Sequence, residues 1–535
     1  MNRLPARLLL SLLVSLSCVL AMPGASHAAV YAQIEGTGST WSQLIVEQWI
    51  ADVDANGMKV VYTGGGSSKG RKDFSQKSTD FAISEIPYQG TDEQGNADTS
   101  NGREYSYLPI VAGGTAFTYQ LKIGDKPVRN LRLSGETIAK IFTNKITNWS
   151  DPAITKDNNG RALPSLDITP VVRADGSGTT AQFTTWMDKE FPSVWRPFFG
   201  RSGLTSYYPR KGRAIAQAGS DQVMNTISGF AGNGTIGYVE YSYPVNKDYP
   251  VVKVLNKAGY FVEPTDYNVA VALTKAKINR DKSSALYLTQ ILDGVYRNAD
   301  PRAYPVSSYS YMVIPTGKTD SRMTTAKRQT LADFLYYSLC SGQTKAGDFG
   351  YSPLPVNLVQ AGFEQIGKLK QADPAVNLSN RDVRSCNNPT FDGKNLNKNK
   401  LAEVAPQPAA CDKTGAGPCG TETGQNKPST DGGGAATPDA NTPAAPGGGG
   451  AAAPSAPGGG APPAVDPATG EVAAPTGDTG TAEEVYANPT ELAAERPIDS
   501  KTFGWLAAVL AVGIVVLPGV YAASLRRRRR PGGAR

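Results

Sequence analysis

The stretch Val-Val-Arg-Ala-Asp-Gly-Ser-Gly-Thr-Thr at 171–180 decides how the rest of this sequence is interpreted. Its two β-branched residues are typical of the end of a buried strand, and the glycines and hydroxyls after them are typical of a tight turn. Apolar residues return at near-helical spacing over 180–187, which predicts a strand, a loop and a helix N-terminus. The unpaired N–H groups of that terminus and the Arg173 guanidinium form a candidate cradle for an oxyanion.

Two earlier stretches repeat this pattern of small and hydroxyl-bearing residues next to an apolar segment. Gly-Thr-Gly-Ser-Thr-Trp occupies 36–41, and Thr-Gly-Gly-Gly-Ser-Ser-Lys-Gly at 63–70 follows the apolar run 60–62. The Gly-Ser-Gly turn at 176–178 taken alone favours an ordinary strand-to-helix turn, and the two further stretches change that interpretation. Three such loops in one α/β chain predict convergence on a single anion, because the loops at the carboxyl ends of strands meet at one edge of a sheet.

These motifs resemble those of the phosphate-binding protein of the high-affinity phosphate ABC transporter. The resemblance covers roughly residues 30–385, and its order and spacing also match that family. The matching segments are 36–41, 66–70, 80–85, 144–149, 173–179 and 236–241. The resemblance implies an α/β, bilobal, type II periplasmic-binding-protein-like fold that closes on inorganic phosphate and delivers it to the subunits of an ABC permease.

The same resemblance sets the expected domain boundaries. The bilobal domain is expected over 29–400. Lobe one would comprise 30–106 plus 280–390, and lobe two would comprise 107–279, so that each lobe is discontinuous or inserted in sequence. The ligand would lie in the cleft between the lobes and be gripped when they close.

The resemblance also implies a set of phosphate-binding residues. In lobe one, hydroxyl and backbone N–H groups would donate to the anion, and a further shell would come from lobe two. Asp175 is expected to orient Arg173 without touching the anion. The predicted binding residues are Thr40, Trp41, Ser67, Glu85, Arg173, Ser177, Gly178 and Thr179.

Glu85 is where this sequence departs from the family pattern, which has Ser-Asp where this chain has Ser84-Glu85. In the family the aspartate accepts the proton of bound hydrogen phosphate. A glutamate keeps that acceptor chemistry but is one methylene longer. We expect Glu85 to accept a hydrogen bond from the proton of bound hydrogen phosphate. The alternative is that Glu85 pairs with Lys69 or Arg71 instead.

Histidine content argues against an enzyme. The Gly-Ser-Ser-Lys-Gly run at 66–70 matches a hydrolase nucleophile pattern, but the sole histidine of the sequence is His27, in the leader. A mature chain without histidine cannot form a Ser-His-Asp triad or a histidine metal site. We therefore predict a binding protein that is not an enzyme and that needs no cofactor or metal.

The net charge of +7 is concentrated at the two ends. Eight arginines lie in the first seven residues and in the last ten, so the chain between them is close to neutral. Nucleic-acid binding consequently has no electrostatic support.

Both ends of the chain carry membrane-related signals. Residues 1–28 predict a secretory signal peptide with a small-x-small cleavage site, and a lipidated Cys18 is disfavoured by the residues before it. The Pro/Ala/Gly-rich stretch 401–500 predicts a disordered linker. An apolar run at 502–525, followed by a basic tail at 526–535, predicts a transmembrane helix with a cytoplasmic tail. The protein is thus expected at the cell surface, with a processed wall-sorting tail as the alternative to a retained anchor.

Four cysteines remain after the leader, and on an exported chain an even number predicts disulfides. Of the three possible pairings we favour Cys340–Cys386 and Cys411–Cys419.

Residue patterns in short stretches also predict individual strands and helices. Residues 107–112 and 114–119 are expected as two strands near a lobe crossing, 269–273 as a strand, and 287–296 as a helix.

Three other functions remain open. They are binding of a different oxyanion such as sulfate, a phosphatase that uses the same cradle, and a wall-associated structural protein.

Overall fold

The structure is a computed structural model, and it describes residues 31–93, 95–284, 286–396 and 398–419. The helices are α1 Gln43–Asp54, α2 Ser67–Ser75, α3 Gly135–Phe142, α4 Pro152–Asp157, α5 Gly178–Glu190, α6 Pro192–Phe199, α7 Gly219–Ser228, α8 Ser242–Asn246, α9 Asp266–Leu273, α10 Asp293–Tyr296, α11 Thr325–Leu339, α12 Val356–Ala372 and α13 Lys400–Val404. The strands are β1 Ile34–Gly38, β2 Val60–Gly64, β3 Phe81–Ser84, β4 Gly90–Thr91, β5 Ala97–Asp98, β6 Tyr105–Tyr119, β7 Lys122–Ile123, β8 Lys126–Pro127, β9 Arg132–Leu133, β10 Thr169–Arg173, β11 Ile215–Gln217, β12 Thr235–Glu240, β13 Lys253–Leu255, β14 Phe261–Val262, β15 Lys277–Ile278, β16 Gln290–Ile291 and β17 Ser307–Pro315.

The main sheet has eight strands in the order β11-β10-β12-β6-β17-β3-β1-β2. Strand β1 is parallel to β2 and β3, and β10 is parallel to β11 and β12. Strands β6 and β17 run against their neighbours. We call the β2, β1, β3 and β17 side lobe one, and the β12, β10 and β11 side lobe two. Each lobe is an α/β layer structure, as expected for a bilobal binding fold.

Strand β6 belongs to both lobes. Its first part pairs with β17 up to Gly114, and from Thr115 onward it pairs with β12. The chain crosses between the lobes at this change of partner. A Cβ atom on Gly113 would lie 2.7 Å from Glu240 Oε1, and one on Gly114 would lie 2.5 Å from Pro264 Cβ. Glycine is needed at both positions because the two lobes approach the backbone closely there.

The two strands predicted at 107–112 and 114–119 are therefore one continuous strand. The expected lobe boundary at residue 107 falls inside it, seven residues before the pairing changes after Gly114. The sequence shows two glycines in an apolar run, which predicts an interruption. The strand is not interrupted at them, because β17 pairs with β6 up to Gly114 and β12 pairs with it from Thr115 onward.

Two other local predictions were wrong. Residues 269–273 lie in helix α9 and not in a strand, and the Thr265 side chain caps that helix by accepting from the Asn268 N–H. The run 287–296 contains strand β16 and only the four-residue helix α10. The helix α9 is buried on nearly all sides, so its run of Val, Ala and Leu carries no amphipathic period to separate it from a buried strand.

An aromatic cluster in lobe two holds helix α5 against the sheet. The Phe183 ring, one turn into this helix, lies 5.2 Å from the ring of Phe117 on β6 and 4.9 Å from that of Tyr238 on β12, measured between centroids. All three side chains are fully buried. This packing fixes the N-terminus of α5 relative to the sheet, and that N-terminus is the predicted cradle.

The first part of the predicted linker belongs to the folded domain. Arg302 donates to the carbonyls of Ala402 and Ala405, at 3.2 and 2.7 Å. Further along, Lys253 Nζ lies 2.8 Å from Asp412 Oδ2. Residues 401–419 thus pack on the globular body, which corrects the predicted domain end at 400. Short Pro- and Ala-rich segments do not show this in sequence, because contacts such as those of Arg302 are made to their backbone carbonyls.

Both favoured disulfides are present, Cys340–Cys386 and Cys411–Cys419. The predicted signal peptide 1–28, the remainder of the predicted linker, the predicted transmembrane helix 502–525 and the tail 526–535 lie outside the described residues. Among the helices of the described ranges, none has both the length and the apolar character to cross a bilayer.

Candidate functional site

The candidate site lies where helix N-termini from both lobes face each other. Helix α2 begins at Ser67 in lobe one, and helices α5 and α7 begin at Gly178 and Gly219 in lobe two. Each follows the carboxyl end of a strand of the main sheet, which is where open α/β sheets bind ligands. The positive ends of the helix dipoles and their unpaired N–H groups make this region suited to an anion.

The loop 173–179 supplies the start of α5. Ser177 is the N-cap, and its hydroxyl accepts from the Thr180 N–H at 3.2 Å. At Gly178 a Cβ atom would lie 2.0 Å from Glu85 Oε2 and 2.4 Å from Ser67 Oγ. Only glycine lets the α5 backbone approach lobe one this closely, so Gly178 is fixed by geometry.

Ser67, Glu85 and Gly178 form a connected set across the cleft. Ser67 Oγ donates to Glu85 Oε2 at 2.7 Å, and Gly178 N donates to Ser67 Oγ at 3.2 Å. Ser67 and Glu85 are buried almost completely. This joins the amide of a helix N-terminus, a hydroxyl and a carboxylate, which are the groups that bind a protonated oxyanion. Glu85 pairs with neither Lys69 nor Arg71, which instead bond to Asp73 and Asp98.

Arg173 and Asp175 form the charged pair of the site. Arg173 is 2% exposed, and its Nε lies 2.7 Å from Asp175 Oδ1 while a second terminal nitrogen contacts Asp175 Oδ2. Burial opposes the charge on Arg173, but the Asp175 carboxylate outweighs it and raises the pKa of Arg173. Asp175 is itself held by the Gly219 N–H at 2.9 Å. The guanidinium is therefore a fixed positive charge under the cradle.

Thr40 is linked to this pair through a residue that sequence reasoning missed. Ser220 Oγ accepts from Arg173 Nη1 at 3.3 Å and lies 3.0 Å from Thr40 Oγ1. Ser220 N also donates to Thr40 Oγ1 at 3.2 Å. A Gly-Ser pair at the start of a helix, after the short strand β11, was the available signal for Ser220.

Trp41 and Thr179 are buried. Their side chains take no part in the hydrogen bonds that join Ser67, Glu85 and Gly178 or in those that join Arg173, Ser220 and Thr40. The Trp41 N–H donates to Ser39 Oγ at 3.0 Å. The Thr179 hydroxyl has no hydrogen-bond partner among the described residues. A buried hydroxyl without a partner is unusual, and at the first turn of α5 it is available to a ligand.

The two lobes touch directly at the site. Besides the Gly178–Ser67 contact, Ser68 N donates to Gly176 O at 3.0 Å. The backbone amides of Gly178 and Ser68 are thus satisfied by groups of the opposite lobe. An oxyanion bound in the cleft would exchange these neutral hydrogen bonds for charge-assisted ones, which are roughly twice as strong.

The fold and this site define a class of two-lobed solute-binding proteins. The chain belongs to the PBP superfamily, whose domain model matches residues 23–341.

Curated relatives of the chain are named as phosphate-binding proteins, and the chain is a PstS-like member of that group. It is 30% identical over 349 residues to the phosphate-binding protein PstS of Methanocaldococcus jannaschii, covering 63% of this chain and 86% of that protein. It is 28% identical over 342 residues to the phosphate-binding protein PstS 2 of Mycobacterium tuberculosis, covering 62% of this chain and 86% of that protein. These relatives are binding proteins and not enzymes, in agreement with the prediction.

Solved structures of phosphate-binding proteins are also among the matches. The phosphate-binding protein of Stenotrophomonas maltophilia matches with a TM-score of 0.46 and 18% identity, over 62% of this chain and 92% of that chain. The family expected from the motifs in the sequence is therefore confirmed by the comparisons in sequence.

Proposed function

We propose that this protein captures inorganic phosphate between its two lobes and delivers it to an ABC permease. The observation that carries the proposal is the meeting of Ser67 and Glu85 from lobe one with Gly178 from lobe two, within hydrogen-bonding distance. The names of the curated relatives support phosphate as the ligand. The helix N-termini and the buried Arg173 supply the positive potential that a dianion needs.

In the proposed complex each lobe contributes one side of the shell. Thr40, Trp41 and Ser67 donate from lobe one, and Arg173, Ser177, Gly178 and Thr179 donate from lobe two. Asp175 orients the guanidinium, since it already holds two of its nitrogens. In the structure, the Ser67 hydroxyl accepts from the Gly178 amide and the Thr40 hydroxyl accepts from the Ser220 amide, both of lobe two.

Glu85 provides the selectivity in this proposal. An ionised carboxylate only accepts hydrogen bonds, so it binds the proton of hydrogen phosphate and repels an oxyanion that has none. Sulfate is fully ionised near neutral pH, so it has no proton to donate to Glu85 and is repelled by the carboxylate. Glu85 lies beside Gly178 at the bottom of the cradle, where such a proton would point.

Calorimetry with phosphate and sulfate tests the proposed function directly. The full chain is purified, stripped of bound anion by partial unfolding, refolded and titrated with each anion near neutral pH. We expect the affinity for phosphate to exceed the affinity for sulfate by several orders of magnitude. Glu85→Gln should reduce this difference in affinity, because the glutamine amide can donate a hydrogen bond to sulfate. Equal binding of both anions would favour a different oxyanion as ligand. Absence of any binding would favour a structural role at the wall.

We also propose that the protein is exported and stays anchored in the cytoplasmic membrane. The signal-like segment 1–28, the apolar run 502–525 and the arginines at 526–530 support this arrangement. The Pro- and Gly-rich stretch between the domain and the apolar run would act as a flexible spacer that lets the binding domain reach outward from the membrane.

A further inference from the structure

Ser310 is a fully buried hydroxyl on β17 that the sequence analysis did not single out. The pairing of β17 with β6 shifts register between Ser310 and Tyr311, which marks a bulge at this point. A bulge changes the direction in which a side chain points. Ser310 Oγ lies 2.7 Å from Glu85 Oε1, and it donates to that oxygen.

The two carboxylate oxygens of Glu85 therefore have different partners. Oε2 accepts from Ser67 and is the oxygen nearest to Gly178 in the cradle. Oε1 accepts from Ser310, which belongs to lobe one and whose hydroxyl is hydrogen-bonded, among the described residues, to no predicted anion-binding residue other than Glu85. When an anion replaces Ser67 as the partner of Oε2, the bond from Ser310 to Oε1 stays in place.

The main chain of Glu85 is fixed as well. Its carbonyl accepts from Gln182 Nε2 at 2.7 Å and from Gln290 Nε2 at 3.1 Å. The backbone and one carboxylate oxygen are thus both restrained, and the side-chain torsions between them have little freedom. A glutamate has one torsion more than the aspartate of the family pattern, so this restraint replaces the stiffness that the shorter side chain has by itself.

We propose, building on the function proposed above, that Ser310 is a positioning residue that holds Glu85 with Oε2 directed at the proton of bound hydrogen phosphate. Its hydroxyl orients the carboxylate without forming an ion pair with it, because a serine donates a hydrogen bond but carries no charge. Ser310 thereby determines how strongly the site prefers a protonated oxyanion over a fully ionised one.

The test measures phosphate and sulfate affinities of Ser310→Ala in the full chain by calorimetry. Losing a hydrogen bond to a buried charged group lowers the phosphate-to-sulfate affinity ratio by about tenfold or more. The matched control is Ser308→Ala, because Ser308 is a buried serine on the same strand whose hydroxyl has no partner among the described residues. Its ratio should equal that of the wild type.

Ser310→Thr separates the hydroxyl from the packing of the site. It keeps the donor, so it should retain most of the wild-type ratio even if its added methyl group lowers the melting temperature. An unchanged ratio in Ser310→Ala, or equal losses in the alanine and threonine variants, would overturn the proposal. A wild-type chain that does not bind phosphate would instead overturn the proposed function, before any variant is compared.

Discussion

Arg173 illustrates how single residues of this site depend on their neighbours. Its guanidinium is buried, and Asp175 on one side and Ser220 on the other leave it little freedom to move. A free arginine at such a position would be costly to bury, and the adjacent carboxylate makes its charge tolerable. The charge in the cleft is therefore a property of the pair and not of the arginine alone.

Replacing Arg173 with alanine should weaken phosphate binding by roughly 2–5 kcal/mol, because a charged partner of a buried anion is lost. Calorimetry on the full chain measures this change. Arg213→Ala is the matched control, since Arg213 pairs with Asp167 at 3.0 Å on the surface, where both side chains are about half exposed. That control should bind as the wild type does. Unchanged affinity in Arg173→Ala would remove Arg173 from the site.

At the scale of elements, the segment 400–419 extends the domain beyond the predicted end. Tyr260 forms an isolated antiparallel bridge with Lys413, and Arg132 donates to the Lys413 carbonyl at 3.0 Å. Helix α13 is short, and its place is set by the contacts of Arg302 with carbonyls around it. This segment is thus held by side chains of the domain, and its own Leu401, Ala402 and Ala405 are buried in the hydrophobic core.

The Lys253–Asp412 pair should matter for this segment, because both side chains are mostly buried, at 11% and 4% exposure. Lys253→Met leaves the Asp412 carboxylate without its charged partner, and we expect a loss of about 2–4 kcal/mol in stability or early release of the segment. Thermal unfolding and limited proteolysis near residue 412 measure these effects.

The control is Lys59→Met, which breaks an exposed pair with Asp54 at the surface. Exposed pairs contribute about 0–1 kcal/mol, so this variant should melt close to the wild type. Similar behaviour of the two variants would mean that the Asp412 contact does not hold the segment.

At the scale of the whole molecule, the two lobes meet through residues far apart in sequence. Lobe one contributes Ser67 and Glu85, while lobe two contributes a loop about one hundred residues later, and β6 runs through both. Opening the cleft must break the contacts at Gly178, Ser68 and Ser220, and an anion that bridges the same groups stabilises the closed form.

A chain ending near Asp499 should be secreted in soluble form, because the apolar run 502–525 and the basic tail are then missing. Fractionation of membranes and medium, with the intact chain alongside, measures this. A truncated protein that still sediments with membranes would contradict the proposed anchor and direct attention to lipidation of Cys18.

The sequence by itself determined the family, the motifs and most elements next to them. Helices α3 and α11 begin with side-chain caps, where Ser134 accepts from the Thr137 N–H and Thr324 accepts from the Lys327 N–H, and such caps are local signals. Both disulfide pairs were favoured correctly. These features could be predicted because caps, turns and apolar periods act over a few residues.

Tertiary structure alone decided which residues form hydrogen bonds with one another in the site. Ser220 on helix α7 and Ser310 on strand β17 are remote in sequence from their partners Arg173 and Glu85. The Gly-Ser pair that begins helix α7 marks the helix start but does not tell what Ser220 contacts, and Ser310 stands in no motif. The helix at 266–273 could not be recognised from the sequence either. It is buried on nearly all sides, so its apolar residues show no helical period. Long-range contacts depend on which segments pack together, and local residue preferences do not encode that.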